Sequence, residues 1–247
     1  MNALEMPRNR LQQKEQLLRE FFDMTSRSDR QQLDNYKERI LAYYRGQRDY
    51  INQRELDPQL KNIYQILEIV RLNPRNARDF ETACALALPI YTRLEQSAHW
   101  DFYDLRIMSV VISKHQQLKV AFQMLERCEQ ELDNHADVEQ ASHLRMLIYA
   151  NLSARILRGR FEDEELSPEE LKAKFHQVTD QAIGLCLARQ AYPFAKALQV
   201  RKALADGDTE QLIALMQNLR GLATTEFYKD VEAEVRSYRS LLKMPVR

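Results

Sequence analysis

The chain has 247 residues, of which 45% are hydrophobic and 29% charged, with only 5 glycines and 7 prolines. So few turn-forming residues exclude collagen-like and proline-rich classes, and they disfavour a sheet-rich fold because many short strands need many turns. The 36 Lys and Arg residues balance 36 Asp and Glu residues, which argues against a dominant nucleic-acid-binding tail or a polybasic membrane patch.

Targeting signals and cysteine usage favour a cytoplasmic protein. No apolar run reaches the length of about 18 residues that a membrane helix needs, and the N-terminal residues lack the apolar core of a signal peptide. Cys84, Cys128 and Cys186 lie in apolar helical patterns at spacings that match no metal motif. We expect buried, reduced thiols.

Helical periodicity runs through almost the whole chain, with apolar residues recurring every three or four positions. The pattern predicts about eleven helices with short connections. In chain order they are placed at residues 8–24, 29–45, 58–72, 77–97, 101–113, 116–132, 137–159, 168–189, 192–205, 208–219 and 225–243. Segment 160–167 is predicted to be a solvated loop, since acids occupy four consecutive positions in it.

Capping residues mark several of these helix ends. Asp57 followed by proline is typical of an N-cap, and Asn73-Pro74 is typical of a helix end. Ser167, followed by a proline and two glutamates, is the clearest helix start. Gly207 predicts a helix stop, with Asp208 as the next N-cap.

Helix pairs recur along the chain, starting near residues 77, 116, 168 and 208 at intervals of 39, 52 and 40 residues. One helix hairpin is too small to bury its apolar face alone, so such pairs stack. We therefore predict an all-α fold of antiparallel helix hairpins in a degenerate, right-handed tetratricopeptide-like solenoid. Residues 1–247 would form a single domain, with 1–14 as a linker or disordered segment. A compact irregular bundle is the alternative.

The sequence contains no pattern that supports catalysis or a bound cofactor. The five glycines are isolated, which excludes a phosphate-binding glycine loop, and no nucleophile elbow occurs. The best metal-like spacing joins Glu139 to His135 or His143, one helical turn away, and would need a further ligand from another helix. Solvated helix-face pairs are the simpler interpretation, so we predict no metal, no cofactor and no enzyme activity.

A binding role remains, because a solenoid of helix hairpins presents an extended concave surface that suits peptides. Segment 143–160, HLRMLIYANLSARILRGR, combines an apolar stripe with Arg145, Tyr149, Asn151 and Arg155 on or near other faces. Amide and guanidinium groups can bond to a peptide backbone. Asparagine is mildly unfavourable inside a helix, so Asn151 needs a reason, and exposure or a structural hydrogen bond is the alternative to peptide binding.

Three stretches carry a family resemblance: residues 91–110 (YTRLEQSAHWDFYDLRIMSV), 147–157 (LIYANLSARIL) and 201–219 (RKALADGDTEQLIALMQNL). They resemble a repeat end followed by Trp and Tyr-Glu-Leu, a Leu-x-x-x-Asn-Leu helix and a helix–Gly–helix close. Motifs of this kind are typical of the C-terminal peptide-sensing domain of Rgg-type transcriptional regulators of Gram-positive bacteria, which the chain resembles. The similarity spans roughly residues 15–243 and involves mostly packing residues.

The resemblance implies a cytoplasmic sensor domain whose short hydrophobic peptide shifts the population between two solenoid curvatures. Asn151 would then bond the peptide backbone, and Tyr149 would form a pocket wall. Arg145 and Arg155 would bind a carboxylate or backbone carbonyls, and Arg106 would be a further contact.

Regulators of this family begin with a helix-turn-helix DNA-binding domain, and no such pattern precedes residue 15. DNA contact is therefore expected only through a domain missing from this chain. The alternative function is a helical-repeat adaptor or chaperone that binds a protein partner without DNA. A helical-bundle enzyme is a third option and would need a bound metal or cofactor.

The C-terminal helices are also predicted to form a homodimer. A terminal repeat should have a polar outer face, whereas residues 208–243 are apolar over long stretches. Internal packing of the last helix pair is the alternative. The residues expected at the dimer interface are Leu222, Phe227, Val231, Val235 and Tyr238.

Overall fold

The computed structural model describes residues 8–23, 30–45, 57–72, 76–135, 137–159 and 165–241. Over these ranges it contains eleven α-helices and one short 3-10 helix, and no strand. The predicted all-α class is confirmed.

The chain divides into two compact units, Met1–Ile107 and Met108–Arg247, and the boundary falls inside a helix. The first unit holds α1 (Arg8–Asp23), α2 (Arg30–Arg45), α3 (Pro58–Arg71), α4 (Ala77–Gln96) and the start of α5 (Phe102–Val111). The second continues with the 3-10 turn (Ile112–Lys114), α6 (Leu118–Asp133), α7 (Val138–Arg158), α8 (Pro168–Ala188), α9 (Tyr192–Asp206), α10 (Thr209–Leu222) and α11 (Thr225–Leu241). The sequence predicted one domain, because no proline- or glycine-rich linker marks this boundary.

Helix α3 is the centre of the first unit and packs against α1, α2 and α4. Its apolar face is buried, and Leu60 and Ile63, spaced three apart on the helix, are fully removed from solvent. A polar contact adds to this core where Arg93 of α4 donates to the Asp104 carboxylate of α5 at 2.6 Å. The unit therefore has an apolar core, and the Arg93–Asp104 ion pair joins α4 to α5 beside it.

The helices of the second unit pack mainly on their sequence neighbours: α6 on α7, α7 on α8, α8 on α9 and α9 on α10. Helix α7 is central, because it also contacts the 3-10 turn and α9. Helix α11 packs against α9 and α10. This order of contacts is what stacked hairpins predict, while the solenoid geometry itself stays a prediction.

Capping residues begin and end the helices as the sequence predicted. The Asp57 carboxylate accepts from two backbone N–H groups in the first turn of α3, at 3.1 and 3.3 Å. Ser167 and Glu170 form a reciprocal capping box at the start of α8. Gly207 ends α9 at φ +70°, a conformation that strains any residue with a side chain, and Asp208 caps α10.

The connection between α5 and α6 differs from the prediction. The predicted helix 101–113 stops being α-helical at Val111, and the tighter 3-10 turn takes its last residues. The following helix begins at Leu118 and not at 116. The backbone N–H of Gln117 donates to the His115 ring at 3.1 Å, which holds a turn where the helix was expected to start.

Helix α10 extends beyond its predicted end, and some predictions fall outside the described residues. Helix α10 continues to Leu222, three residues past the predicted end, because the helix accommodates Gly221. Helix α1 begins at Arg8 as the predicted helix 8–24 does, so residues 8–14 are helical and do not form the linker or disordered segment predicted for 1–14. Residues 1–7, the helix end at Asn73-Pro74 and positions 160–164 of the acidic loop lie outside the described part of the chain.

Candidate functional site

The predicted peptide contacts on α7 lie on two flanks of the helix. Successive helical residues are rotated by about 100°, which places Arg145 and Tyr149 on one flank. The same rotation places Asn151 and Arg155 on the other. Leu152 lies between the flanks and is fully buried. The four side chains therefore border the apolar stripe of α7, and they do not form one cluster.

The first flank binds α6. The Tyr149 hydroxyl donates to the Glu129 carboxylate, and the Arg145 guanidinium donates to the Asp133 carboxylate. Arg145 also reaches the Glu129 backbone carbonyl at 3.5 Å. Burial raises the pKa of Tyr149, and the hydrogen bond to the Glu129 carboxylate raises it further. This flank joins two neighbouring helices through hydrogen bonds in which the donor, the acceptor or both are charged.

The second flank binds the backbone around the 3-10 turn. The Asn151 side-chain amide donates to the Ser109 carbonyl at 2.8 Å. The Arg155 guanidinium donates to the Gln116 carbonyl at 3.1 Å. Ser109 lies in the last turn of α5, and Gln116 lies in the turn before α6. Asn151 therefore makes the structural hydrogen bond that was the alternative to a peptide contact.

Arg106 belongs to the first unit, whereas the other four candidates belong to the second. Its guanidinium carbon lies 5.1 Å from the centre of the Phe102 ring, one helical turn earlier on α5, within the range of a cation–π contact. Four of the five predicted peptide contacts are thus on α7, and Arg106 is on α5.

A polar connection between α7, α9 and α11 was not predicted from the sequence. Arg201 of α9 donates to the Ala150 carbonyl of α7 at 2.9 Å and forms a two-pronged ion pair with Glu234 of α11 at 2.7 and 3.2 Å. Burial acts to lower the pKa of Arg201, but the Glu234 carboxylate and the Tyr238 hydroxyl together outweigh it, and the pKa is raised. The pair spans 33 residues of sequence, a separation at which no local pattern predicts a partner.

The predicted dimer residues have mixed environments. Val231, Val235 and Tyr238 are buried within the single chain, so these three have the internal packing that was the alternative to a dimer. The Phe227 ring lies 4.9 Å from the Phe194 ring of α9. Leu222 is 53% exposed and remains available to a second copy.

Metal-binding clusters and membrane-spanning helices are both absent from the described residues. In the ranges that the structure describes, no three His, Cys, Asp or Glu side chains gather in a way that could hold a metal ion. Glu139, the candidate in the metal-like pair, lies 3.5 Å from the Arg189 guanidinium. The same ranges contain no helix that is both long enough and apolar enough to cross a membrane.

Comparisons with family models, curated proteins and solved structures give no match for this chain. The resemblance stated from the sequence therefore stays a prediction, and a functional proposal must rest on the geometry of the helices.

Proposed function

We propose that the chain is the peptide-binding sensor domain of a cytoplasmic transcriptional regulator, and that its ligand binds the second flank of α7. One observation carries the proposal. Asn151 and Arg155, one turn apart, both donate to backbone carbonyls, Asn151 to the last turn of α5 and Arg155 to the turn before α6. A peptide offers the same kind of acceptor. This flank therefore has the chemistry that peptide backbone recognition requires.

Binding at this flank would exchange one set of carbonyl acceptors for another. Each exchanged hydrogen bond contributes only about 0.5–1.5 kcal/mol net, so the exchange itself supplies little affinity. The affinity must come mainly from apolar burial, at about 25 cal/mol per Å². A short hydrophobic peptide fits this requirement better than a polar one.

The regulatory consequence would be a shift in population. A peptide that takes Asn151 and Arg155 from the Ser109 and Gln116 carbonyls favours a state in which the 3-10 turn and α7 are separated. Its differential affinity for the two states sets the size of the shift. DNA contact would come from a further domain or a partner, and the finer solenoid arrangement and the homodimer belong to this proposal as well.

Calorimetric titration with a panel of hydrophobic octapeptides tests the proposal. The wild-type chain should bind at least one of them, and Asn151→Ala should weaken that binding about threefold, because the lost bond to the peptide is partly offset by the bond to the Ser109 carbonyl that the variant no longer has to give up. Asn218→Ala is the matched control, since Asn218 is exposed on α10. The control should bind the peptide as the wild type does.

The same titration contains the outcome that rejects the proposal. If no octapeptide binds the wild type, the sensor function is wrong. If Asn151→Ala lowers the melting temperature but binds peptide as tightly as the wild type, Asn151 has only a structural role and the assigned flank is wrong.

A second candidate function is a helical-repeat adaptor that binds a folded protein partner. Apolar side chains are exposed near the start of α9 and the end of α10, with Tyr192 at 51%, Phe194 at 42% and Leu222 at 53%. A two-residue turn joins α9 to α10, and the helices pack together, so these ends lie at the same side of the hairpin. An adaptor should not bind short peptides, so the octapeptide titration separates the two functions.

A further inference from the structure

Helix α11 is attached to α7 through polar contacts that the proposed peptide exchange does not use. Arg201 of α9 lies between them, with 18% of its side chain exposed, and it binds the Glu234 carboxylate of α11 through two nitrogens. Its remaining guanidinium nitrogen donates to the Ala150 carbonyl of α7. A guanidinium–carboxylate pair with two parallel hydrogen bonds is among the strongest and most directional side-chain contacts.

A second contact joins the two helices one turn further along each of them. The Tyr238 hydroxyl of α11 donates to the Ala154 carbonyl of α7 at 3.3 Å. Tyr238 is 3% exposed, and it shares a helix face with the buried Val231 and Val235. The Tyr238 contact therefore lies beside an apolar face and is shielded from water, whereas the Arg201–Glu234 pair is partly buried.

The α7 carbonyls that accept these hydrogen bonds belong to residues directly before the candidate peptide-binding residues. Ala150, which accepts from Arg201, directly precedes Asn151, and Ala154, which accepts from Tyr238, directly precedes Arg155. Two successive turns of α7 are thus held by α9 and α11 through their carbonyls. The neighbouring side chains hold the backbone of the 3-10 region.

We propose that α11 is a clasp that fixes α7 in its position against the 3-10 turn, and that release of the clasp lets Asn151 and Arg155 change partners. The mechanism is local: without Glu234 the Arg201 charge loses its buried partner, and the bond to the Ala150 carbonyl is no longer held in place. The regulatory meaning rests on the proposed peptide-binding function, whereas the mechanical link between the helices does not.

Hydrogen exchange of the full-length chain, followed by mass spectrometry, tests the link without any peptide. Glu234→Gln should raise the exchange rate of α7 amides at 150–158 about tenfold, together with that of α11. Glu232→Gln is the matched control, because Glu232 lies on the same helix but pairs with Arg236 at an exposed i,i+4 site. The control should leave exchange in α7 unchanged.

Tyr238→Phe is a milder variant for the same experiment, and it can be used if Glu234→Gln fails to fold. Its ring still fills the same space in the core. It removes only the hydroxyl and should raise exchange at 150–158 by about threefold. Increased exchange confined to α11 in both variants, or an equal increase in α7 for Glu232→Gln, would overturn the clasp.

Octapeptide titration of the Tyr238→Phe variant distinguishes failure of the clasp from failure of the proposed function. With the octapeptide that binds the wild type best, Tyr238→Phe should lower the Kd about threefold, since the competent state becomes easier to reach. If no octapeptide binds but α7 exchange rises as expected, the clasp stands and the sensor function is wrong. If octapeptides bind and α7 exchange is unchanged, the sensor function stands and the clasp is wrong.

Discussion

Asn151 holds two elements of the fold together, and under the proposed function it would also bind the peptide. Asparagine in a helix interior is mildly unfavourable, and this cost is offset where its amide donates to a backbone carbonyl of a neighbouring element. Ser109 supplies that carbonyl, 42 residues earlier in the chain. A residue that is bonded in this way can bind a peptide only by exchange, which limits the affinity that it can contribute.

The sequence indicates which side chains could bind a backbone, but it does not indicate which groups they bind in the fold. The helix-interior asparagine and the nearby arginines stand out by type and position, so they were identified as candidate contacts. Their acceptors are backbone carbonyls, which every residue has, so composition gives no signal for Ser109 or Gln116. Arg201 was missed for the related reason that surface arginines are common and its partner Glu234 is distant in sequence.

The cysteines give a prediction at the residue scale. All three are buried and form no disulfide, with exposed fractions of 5% or less, and burial raises the pKa of the Cys128 and Cys186 thiols. Because the thiolate is the reactive form, iodoacetamide at mildly alkaline pH should label no cysteine of the native chain within the time that a small thiol needs to react. Mass spectrometry of the intact protein measures the labelling.

The unfolded chain is the control for that experiment. In concentrated guanidinium chloride all three thiols should react rapidly, which shows that the reagent is active. Fast labelling of Cys128 in the native chain would contradict the buried environment assigned to it, since exchange with solvent there requires opening of α6.

Helices and their ends follow from local rules, and the sequence therefore predicts them well. Asp57, Ser167 and Asp208 accept from N–H groups that the first helical turn leaves unpaired, a need that exists in any tertiary context. The 3-10 turn after α5 has no such local signature. The contacts of α7 to that region come from a distant part of the chain, so the turn could not be predicted from residues 101–117 alone.

The capping box of α8 gives a prediction at the scale of one element. Ser167→Ala should lower the free energy of unfolding by about 1 kcal/mol, as measured by urea denaturation, because the helix loses the acceptor for its Glu170 N–H. The Ser167 backbone N–H and hydroxyl donate to the Glu170 carboxylate and lower its pKa below the usual 4.5. The carboxylate therefore stabilises the fold at neutral pH, and this contribution is lost as pH falls through the lowered pKa.

Glu169 and Glu170 form a matched pair for the pH dependence. Both are exposed in the first turn of α8, and only Glu170 belongs to the capping box. Glu170→Gln should destabilise the chain more than Glu169→Gln at neutral pH, and this difference should shrink at strongly acidic pH, where the wild-type carboxylate is protonated. Equal effects at neutral pH would show that the helix dipole alone accounts for both residues.

At the scale of the whole molecule, the balance of 36 basic and 36 acidic residues permits close approach of two copies, since no net charge repels them. The division into two compact units was not predictable, because the boundary at Ile107–Met108 lies inside α5 and carries no linker composition. The apolar C-terminal pattern predicted a dimer from residues of which three are covered by their own chain. Sequence hydrophobicity alone could not distinguish these two kinds of burial.

Burial of Val231, Val235 and Tyr238 makes the dimer prediction sharper, because self-association must use the side chains that stay exposed. Leu222 is the predicted interface residue that meets this condition. We expect the wild-type chain to sediment as a dimer at micromolar concentration, and Leu222→Arg to weaken the dimer at least tenfold, since it would bury an unpaired charge at the contact.

Ile213→Arg makes the same chemical change at an exposed position near the opposite end of α10. If Leu222 lies at the contact, Ile213→Arg sediments as the wild type does and only Leu222→Arg becomes monomeric. Equal weakening by both variants would place the contact along the whole outer face of α10. A wild-type chain that stays monomeric would reject the dimer and leave the exposed end of the α9–α10 hairpin to a different partner, as the adaptor function requires.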